Sequence, residues 1–336
     1  MLTQKFGIFF LASCLILAHA PSASCGTSNQ SIIYVAGDGS GDFNCDGTDD
    51  HVEINQALIY AASNPGTTVY LNGSNIYWIN GTILIGNYTT LKGDSTAEIK
   101  LIDKAGWARY AGLVAPLNGS AHDITFDGFS IDGNADNQTG VPTGQDYYTV
   151  LRLDNCTNVT VKNMYLHNSK NDGVRILLNS FSEGFGNINI YNNNISLCSH
   201  DAVYLWKVSG ANIYNNTILV STNSGIRTDG CNHLKIFDNY VHAPTYTGGA
   251  GIYILLGSAI MKANDIEVCN NMVEHTNLPG IAVAAYNQYY LADASNMYIH
   301  HNIVKDCGRH MGATYNWGGG ISIQGFNNTI IENNVV

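Results

Sequence analysis

A six-residue motif with asparagine in its fourth place recurs along the C-terminal half of the chain. Its first and last places are aliphatic, as in "IYNNTI" at 213–218 and "IFDNYV" at 236–241. The fourth places of the successive copies are Met164, Asn193, Asn216, Asn239, Asn271, Asn302 and Asn334. From Asn193 onward, these places are separated by 23, 23, 32, 31 and 32 residues. Periods of this size, which vary through loop insertions, are typical of a solenoid.

The alternation of side chains within each copy indicates strands. Apolar and polar residues alternate with a period of two, and no helical pattern of ten or more residues separates the copies. Parallel strands stack about 4.8 Å apart, so equivalent asparagines can hydrogen-bond to one another along the stack. Asparagine also tolerates left-handed backbone geometry at a tight turn. We therefore expect an all-β fold, a single right-handed parallel β-helix from about residue 32 to the end.

A second short strand follows each copy of the motif, for example "SGIRT" at 224–228 and "AGIYI" at 250–254. Its third and fifth places are mostly aliphatic and are expected to fill the interior, so its fourth place points outward. Coil by coil, the fourth place is Arg152, Arg175, Tyr204, Arg227, Tyr253, Ala282 and Ser322. The first five of these residues are called the arginine–tyrosine column below. Like charges about 5 Å apart are unfavourable without an anion between them, so the column suits a polyanion.

Neighbouring positions extend this column into a candidate groove along the helix axis. Further outward positions of the strands add Trp206, Lys207 and Asp229. The turn before the strand adds Lys170, Asp172, His200 and Asp201. Guanidinium groups pair bidentately with carboxylates, and aromatic rings supply apolar surface for sugar rings. We therefore expect the groove to bind an acidic polysaccharide. The residues assigned to binding are Arg152, Lys170, Trp206, Lys207 and Tyr253. In a second interpretation, the arginines only pair with neighbouring aspartates and hold the fold.

The two ends of the solenoid need different coverings. Near the start, "DGTDDHVEINQALIYAAS" has apolar residues at Val52, Ile54, Ala57, Leu58 and Ala61. This spacing predicts an amphipathic helix near Asp50 to Ala62, with Asp49 or Asp50 as its N-cap. We expect this helix to cap the N-terminal end, where strands would otherwise lie unpaired. The final "IIENNVV" stops within a repeat. We therefore expect either a fragment or an edge covered by a further C-terminal domain or a second copy of the chain.

The N-terminal segment is typical of a cleaved secretory signal. Lys5 precedes an apolar run at 6–18, and small residues follow as far as Ser24. The run is too short to span a bilayer as an anchor. We therefore expect a signal peptide at 1–25, a β-helix domain at 26–336, and a protein that is secreted or displayed at the cell surface. Sequons such as those at Asn72 and Asn118 fit a glycoprotein.

Charge and cysteine spacing exclude several classes of protein. The formal net charge of −11 makes the chain a poor ligand for nucleic acid or an anionic membrane. The eight cysteines are scattered and lack C-x-x-C spacing, which argues against a zinc site and against a dense disulfide framework. Most of them are expected to be buried thiols.

The opening "IIYVAGDGSGDFNCDGTDDHVEINQAL" and the N-x-I-x-I-x-N-N-x-I coils resemble the pectate-lyase-like β-helix superfamily. The resemblance covers nearly all of the chain after its N-terminal segment. The tyrosine- and asparagine-rich coils and this opening look more specifically like the archaeal disaggregatase group. That resemblance implies a secreted enzyme that digests the uronate-containing, chondroitin-like matrix holding methanogen cells in aggregates.

The candidate residues allow two chemistries on a uronate polymer. A lyase must neutralise the carboxylate, remove the adjacent proton and protonate the leaving oxygen. Arg175 and Arg227 are suited to neutralise the carboxylate, and His200 or Tyr204 to take or supply the proton. A hydrolase needs two carboxyl groups. The candidates for this pair are Asp172 and Asp201 on adjacent coils, with Asp229 one coil further along.

Lyase chemistry is favoured because the arginine–tyrosine column is suited to a carboxylate, whereas the set of N-T-D, D-D, G-H-G and R-x-K signatures of the β-helix galacturonan hydrolases is not intact here. A third hypothesis is a non-catalytic glycan-binding protein of the cell surface. Asp172 and Asp201 are also the candidates for a Ca²⁺ site, since calcium-assisted lyases of the superfamily use acidic clusters. No other cofactor is expected. His167, His242, His300 and His301 are discounted as metal ligands, and the last two are placed on the ladder turn.

Overall fold

The computed structural model describes residues 31–139, 147–179, 186–220, 222–244, 248–257, 261–285, 294–309 and 318–336. Within these ranges, every strand belongs to one of three parallel sheets, in which the strands of successive coils lie side by side. The predicted parallel β-helix is therefore confirmed. The predicted signal peptide at 1–25 lies outside the described residues.

Each full coil contributes one strand to each of the three sheets. Sheet 1 contains, in stacking order, Phe43–Asn44, Ile32–Ala36, Thr68–Leu71, Thr90–Gly93, Ala121–Asp127, Cys156–Lys162, Gly186–Tyr191, Ser209–Tyr214, Asn232–Phe237, Ala263–Cys269, Ala294–His300 and Asn327–Glu332. Sheet 2 contains Ile76–Ile79, Glu98–Leu101, Ser130–Asp132, Tyr165–Ser169, Asn194–Cys198, Thr217–Leu219, Tyr240–His242, Met272–Glu274 and Ile303–Lys305. Sheet 3 contains Ile83–Ile85, Gly112–Pro116, Thr149–Arg152, Val174–Leu177, Val203–Trp206, Ile226–Asp229, Ile252–Leu256, Ile281–Ala285 and Ile321–Gln324. The α-helix is His51–Ser63, and Ala135–Asn137 forms a 3₁₀ turn.

The asparagine ladder lies buried at the turn between sheets 1 and 2. Asn216 Nδ2 donates to Asn239 Oδ1 and to the carbonyl of Ile190, both at 2.9 Å. Its Oδ1 accepts from the backbone N–H and the Nδ2 of Asn193, both at 3.0 Å. The same side-chain bond joins every rung from Asn193 to Asn334. The predicted ladder is therefore confirmed.

The sequence analysis expected one asparagine both to adopt the left-handed backbone and to form the ladder bonds. In the structure, two consecutive residues of the motif fill these two roles. The residue before each rung is the one in the left-handed region, for example Asn215 with φ of 52° and His301 with φ of 55°. The rung itself supplies the hydrogen bonds. Placing His301 on this turn is confirmed, whereas His300 is the last residue of a sheet 1 strand.

The helix His51–Ser63 covers the first coils, as predicted. Ile54, Ala57, Leu58 and Ala61 are buried against them, but Val52 is 43% exposed, so its prediction as a core residue is wrong. Asp50 is the N-cap residue, yet its carboxylate makes no bond to the helix.

Polar side chains of the helix region instead bind the open sheet edges. Asp50 accepts from the backbone N–H of Trp78 at 2.7 Å, on the outermost strand of sheet 2. Asn55 donates to the carbonyl of Thr82 at 2.9 Å and accepts from the N–H of Leu84 at 2.7 Å. The helix therefore pairs backbone groups that an open edge would leave exposed.

The interior is a continuous aliphatic stack, with Val174, Ile176 and Ile226 among its fully buried members. The cysteines of the described ranges are free thiols, all buried except the half-buried Cys307, as predicted for most of them. Cys269 differs from the others because it is paired in register with the outward-facing Phe237 and His300. No helix in the described ranges is long and apolar enough to cross a membrane.

Candidate functional site

The strands of sheet 3 align the arginine–tyrosine column as predicted. Arg152 is paired in register with Arg175, and Arg175 with Tyr204. Tyr204 is paired with Arg227, and Arg227 with Tyr253. The same register continues to Ala282 and Ser322. Since every strand pair here is parallel and in register, all these side chains leave the same face of the sheet.

Tyr204 lies between two guanidinium groups. The Cζ atoms of Arg175 and Arg227 are 5.0 Å and 4.9 Å from its ring centroid, and Arg227 is 5.9 Å from the ring of Tyr253. Cation–π attraction to the intervening rings offsets part of the repulsion between the arginines. The column is also less exposed than expected, because Tyr204 is 9% exposed and the Arg227 side chain 19%.

A cluster of two aspartates and a histidine, Asp172, His200 and Asp201, lies beside the column at the turn into sheet 3. We call it the carboxylate–histidine cluster. His200 Nδ1 is 2.8 Å from Asp172 Oδ1 and 3.0 Å from Asp201 Oδ2. Both carboxylates are fully buried. Each lies near one arginine of the column, Asp172 at 3.0 Å from Arg175 and Asp201 at 3.8 Å from Arg227. Pairing of arginine with aspartate, the second interpretation above, is therefore present for Asp172 and, at the longer distance, for Asp201.

His200 is the positively charged member of this cluster at neutral pH. Burial lowers its pKa, but the hydrogen bonds and charges of Asp172 and Asp201 outweigh burial and raise the pKa to about 9. Asn223 Nδ2 is 3.0 Å from His200 Nε2, a contact that is a hydrogen bond only while Nε2 is deprotonated. Two buried carboxylates stabilise the imidazolium more than one amide stabilises the neutral ring, so we assign the charged form.

Asp229 differs from the other two aspartates. It lies at the end of its strand, opposite Trp206 in register, and not in line with Asp172 and Asp201. One carboxylate oxygen accepts from the backbone N–H of Gly257 at 3.0 Å. Burial raises the pKa of Asp229, while the Gly257 hydrogen bond and the charge of Arg227 oppose the rise. Asp229 is 8% exposed, so it retains some contact with solvent that Asp172 and Asp201 lack.

Tyr204 is a neutral phenol at any physiological pH. Burial raises its pKa, and the nearby carboxylates of Asp229 and Asp201 add to the rise, while Arg227 and Arg175 oppose it. The side chain can therefore donate a proton but does not serve as a resting base.

A hollow of about 500 Å³ adjoins the N-terminal end of the column. Arg152, Asp154, Leu177, Trp206 and Tyr110 are among its lining residues. Arg152 Nε donates to Asp154 Oδ2 at 2.7 Å, so this arginine already has an anionic partner. Lys207 Nζ lies 4.3 Å from the Trp206 ring.

Sequence reasoning missed Asp154 and Tyr110. Asp154 lies two residues after Arg152, in the turn just beyond the end of that strand, so extending the period-two rule past Arg152 could have found it. Tyr110 precedes a strand of sheet 3 that the repeat pattern did not include, and we find no signal in the sequence that marks it.

Two of the predicted binding residues lie apart from the hollow. Lys170 lines a separate depression of about 240 Å³, together with Asp136, Ser199 and Thr222. Tyr253 is 8% exposed and packs with an apolar cluster that includes Leu255.

The candidate calcium ligands do not fit that ion. Calcium takes about six to eight oxygen ligands. Asp172 Oδ1 already accepts from His200 and from the N–H of Asp201, and its Oδ2 accepts from Arg175. Asp201 Oδ1 accepts from Asn223 and from a backbone N–H. A cation would have to displace the imidazolium, so we assign no role to calcium here.

The fold and this site define a parallel β-helix protein with a partly buried, charged outer face. The chain belongs to the right-handed β-helix family, whose model, described as "Right handed beta helix region", matches residues 116–289. A second model, described as "Disaggregatase related", matches residues 263–336. Both resemblances drawn from the sequence are therefore confirmed. No curated protein matches the chain.

Solved structures with the same fold include three that differ in function. The mannuronan C-5 epimerase AlgE6 A-module of Azotobacter vinelandii is 15% identical, with a TM-score of 0.53 over 86% of this chain and 94% of that one. The Dettilon tailspike protein is 17% identical, with a TM-score of 0.54 over 90% of this chain and 62% of that one. A 1,3-α-1,4-β-D-galactose-4-sulfate-3,6-anhydro-D-galactose-2-sulfate 4-galactohydrolase is 15% identical, with a TM-score of 0.57 over 82% and 72%. At these identities the comparisons show the fold alone.

Proposed function

We propose that the chain is a secreted or surface-displayed enzyme that cleaves an acidic, uronate-containing extracellular polysaccharide by β-elimination. The substrate class is a chondroitin-like matrix glycan, in line with the disaggregatase-related match at residues 263–336. The epimerase and the galactohydrolase, by their names, act on polysaccharides, and this supports a glycan as the substrate proposed for this chain.

The observation that carries the proposal is the stack of Arg175, Tyr204 and Arg227. Two guanidinium groups flank one neutral phenol, with ring distances of 5.0 Å and 4.9 Å. Guanidinium groups bind carboxylates bidentately, so the stack is suited to neutralise the carboxylate of a uronate. The carboxylate–histidine cluster positions both arginines, since Asp172 is paired with Arg175 and Asp201 with Arg227.

β-Elimination then assigns a task to Asp229 and to Tyr204, each of which keeps a small exposed surface. The proton at C5 leaves, the bond from C4 to the glycosidic oxygen breaks, and a double bond forms between C4 and C5. Asp229 takes the C5 proton, because burial raises its pKa and makes it a stronger base. Tyr204 gives its proton to the leaving oxygen, and the arginines stabilise the resulting phenolate. Solvent returns the proton from Asp229 to Tyr204.

The hydrolase alternative, which uses an aspartate pair, is the weaker one. Asp172 and Asp201 are fully buried, with His200 Nδ1 hydrogen-bonded to Asp172 and 3.0 Å from Asp201 Oδ2, so neither faces a space for a sugar. Asp229 has no second exposed carboxylate opposite it on the adjacent strands, where the paired residues are Trp206 and Leu255. A hydrolase needs two such groups about 5–10 Å apart.

The non-catalytic alternative has one observation in its favour. Arg175 is already paired with Asp172 at 3.0 Å, as expected of a structural ion pair. A surface glycoprotein that only binds glycan would need no more than the hollow beside Trp206 and Arg152.

Incubation with chondroitin and with carboxyl-reduced chondroitin separates these functions. We expect chondroitin to be shortened with a gain of ultraviolet absorbance from unsaturated uronate, and the reduced polymer to resist. New reducing ends without that absorbance would support hydrolysis. Saturable binding without shortening of either polymer would contradict the enzyme proposal and support the glycan-binding alternative.

A further inference from the structure

Three metal-ligating side chains meet on the outer face of sheet 1, away from the sheet 3 site. Glu267 and Cys269 lie two residues apart on one strand, and His300 is paired in register with Cys269 on the next coil. The donor atoms of all three lie within 4.8 Å of one another. We call this group the Glu–Cys–His cluster.

The distances within the cluster are close to those of a tetrahedral metal centre. His300 Nε2 is 3.0 Å from Glu267 Oε1, and Cys269 Sγ is 3.5 Å from the same oxygen. Bonds of about 2.0–2.3 Å to a tetrahedral zinc ion place neighbouring donors about 3.4 Å apart. The two separations from Glu267 Oε1 lie within a few tenths of an ångström of that spacing.

Surrounding groups hold the ligands in suitable orientations. His300 Nδ1 is 2.8 Å from His301 Nδ1, so His300 Nδ1–H can donate a hydrogen bond to His301 Nδ1 when His300 Nε2 faces a metal. Metal-binding histidines commonly donate their second N–H in this way. Tyr298 stacks on the His300 ring at 3.9 Å and limits its rotation. Lys235 binds Glu267 Oε2 at 3.1 Å and leaves Oε1 to the cluster.

Although the cysteine spacing argued against a zinc site and His300 was discounted as a ligand, the sheet register joins them across coils, and we propose that Glu267, Cys269 and His300 bind a transition-metal cation of the Zn²⁺ class. A thiolate, an imidazole and a carboxylate are the donor types zinc prefers, whereas calcium and magnesium select oxygen alone. Three protein ligands leave a fourth position for water or another ligand. Because zinc binds the thiolate form of cysteine, binding at Cys269 releases the thiol proton. The site lies on a different sheet from the arginine–tyrosine column and does not depend on the proposed glycan chemistry.

The test uses the full chain, stripped of metal and titrated with Zn²⁺ and with Co²⁺. We expect one equivalent of Zn²⁺ to be retained after dialysis, and Co²⁺ to give a thiolate-to-cobalt charge-transfer band. Cys269→Ser should abolish the band, and His300→Gln should weaken Zn²⁺ binding about tenfold or more. Cys307→Ser is the matched control, because Cys307 is a half-buried thiol outside the cluster, and it should leave both readouts unchanged.

Two results would overturn the proposal. One is a wild-type chain that retains no Zn²⁺, and the other is Cys269→Ser binding Zn²⁺ as tightly as wild type. Either result would leave Lys235, Glu267 and His300 as a surface ion-pair network only. Circular dichroism of each variant checks its fold. If Cys269→Ser does not fold, Glu267→Gln, at a half-exposed position, replaces it with the same expected loss of Zn²⁺ affinity.

Discussion

Asp172, Asp201 and Asp229 all stand near arginines, yet burial gives them different roles. Asp172 and Asp201 have no exposed surface and hold His200 between them. Asp229 keeps 8% of its surface exposed and has a raised pKa. The sequence shows three acidic residues near small residues or turns but does not show their depth. The burial of Asp172 and Asp201 depends on how the turn that contains His200 packs against the neighbouring coil.

Replacing Arg227 by lysine tests the guanidinium stack directly. Lysine keeps the positive charge near Asp201 but cannot stack on Tyr204 or bind a carboxylate bidentately. We expect a loss of about 2 kcal/mol of transition-state stabilisation, which is about a 30-fold lower rate of polymer cleavage. The melting temperature should fall only slightly, because the positive charge is retained. A neutral residue at this position would instead leave Asp201 with one less positive neighbour.

Arg309→Lys is the control, since Arg309 is an exposed arginine paired with Asp306 on a later coil. It should leave both the rate and the melting temperature unchanged. If Arg227→Lys melts early but cleaves normally, the arginine has a structural role and the site assignment is wrong.

His200 makes stability depend on pH in a predictable direction. Its pKa is about 9 in the folded chain, against an ordinary value of 6.5. The imidazolium therefore stabilises the fold fully below pH 6.5, and this contribution, on the order of 3 kcal/mol, is lost as the pH rises towards 9. We expect the melting temperature of wild type to fall over this range more than that of His200→Gln.

His122→Gln is the control for general titration, because His122 is half-exposed beside Asp123. It should follow the wild-type pH profile. Identical profiles for wild type and His200→Gln would show that the carboxylates do not hold a charged ring.

At the scale of elements, the asparagine ladder links the coils. Asn216→Ala would remove the acceptor of the Asn193 backbone N–H, the acceptor of one of the two N–H bonds of Asn193 Nδ2, and the donor to the carbonyl of Ile190, while Asn193 Nδ2 keeps its bond to the carbonyl of Val161. Each unsatisfied group costs about 1–3 kcal/mol, so we expect a total loss of about 3 kcal/mol or more and a melting temperature lower by several degrees.

Asn194→Ala is the matched control, at an exposed position next to a ladder residue. Thermal denaturation should separate the two variants, with Asn194→Ala close to wild type. Equal melting temperatures for Asn216→Ala and wild type would show that the ladder does not stabilise the coils. Polymer cleavage should be spared in both, since the ladder lies at the turn between sheets 1 and 2.

The strands could be predicted from the sequence because their period fixes which side chains share a face. Register alone then placed Arg175, Tyr204 and Arg227 in one column. The degree of burial was not predictable, because it depends on how neighbouring rings and turns pack. Cys269 and His300 occupy the second place of the motif on consecutive coils. The sequence does not show how close their side chains come, because that distance also depends on how neighbouring rings and turns pack.

At the scale of the whole molecule, the outer faces of the three sheets differ while the interior stays uniform. Sheet 3 carries the arginine–tyrosine column, and sheet 1 carries the Glu–Cys–His cluster. The repeat pattern predicts the aliphatic interior well, because every coil must fill the same cross-section. It predicts the outer faces poorly, since outward side chains are constrained only by their neighbours. The helix His51–Ser63 was located from its apolar spacing, but its pairing with sheet edges through Asn55 was not foreseen.

Mass spectrometry of the fragments released from chondroitin tests the central claim most directly. Elimination adds no water, so we predict that each new non-reducing end is unsaturated and that its fragment is one water lighter than the hydrolytic product. Tyr204→Phe should release far less of this product, because it lacks the phenolic proton. Fragments that carry the added water, or a polymer left intact by the pure folded protein, would contradict the account.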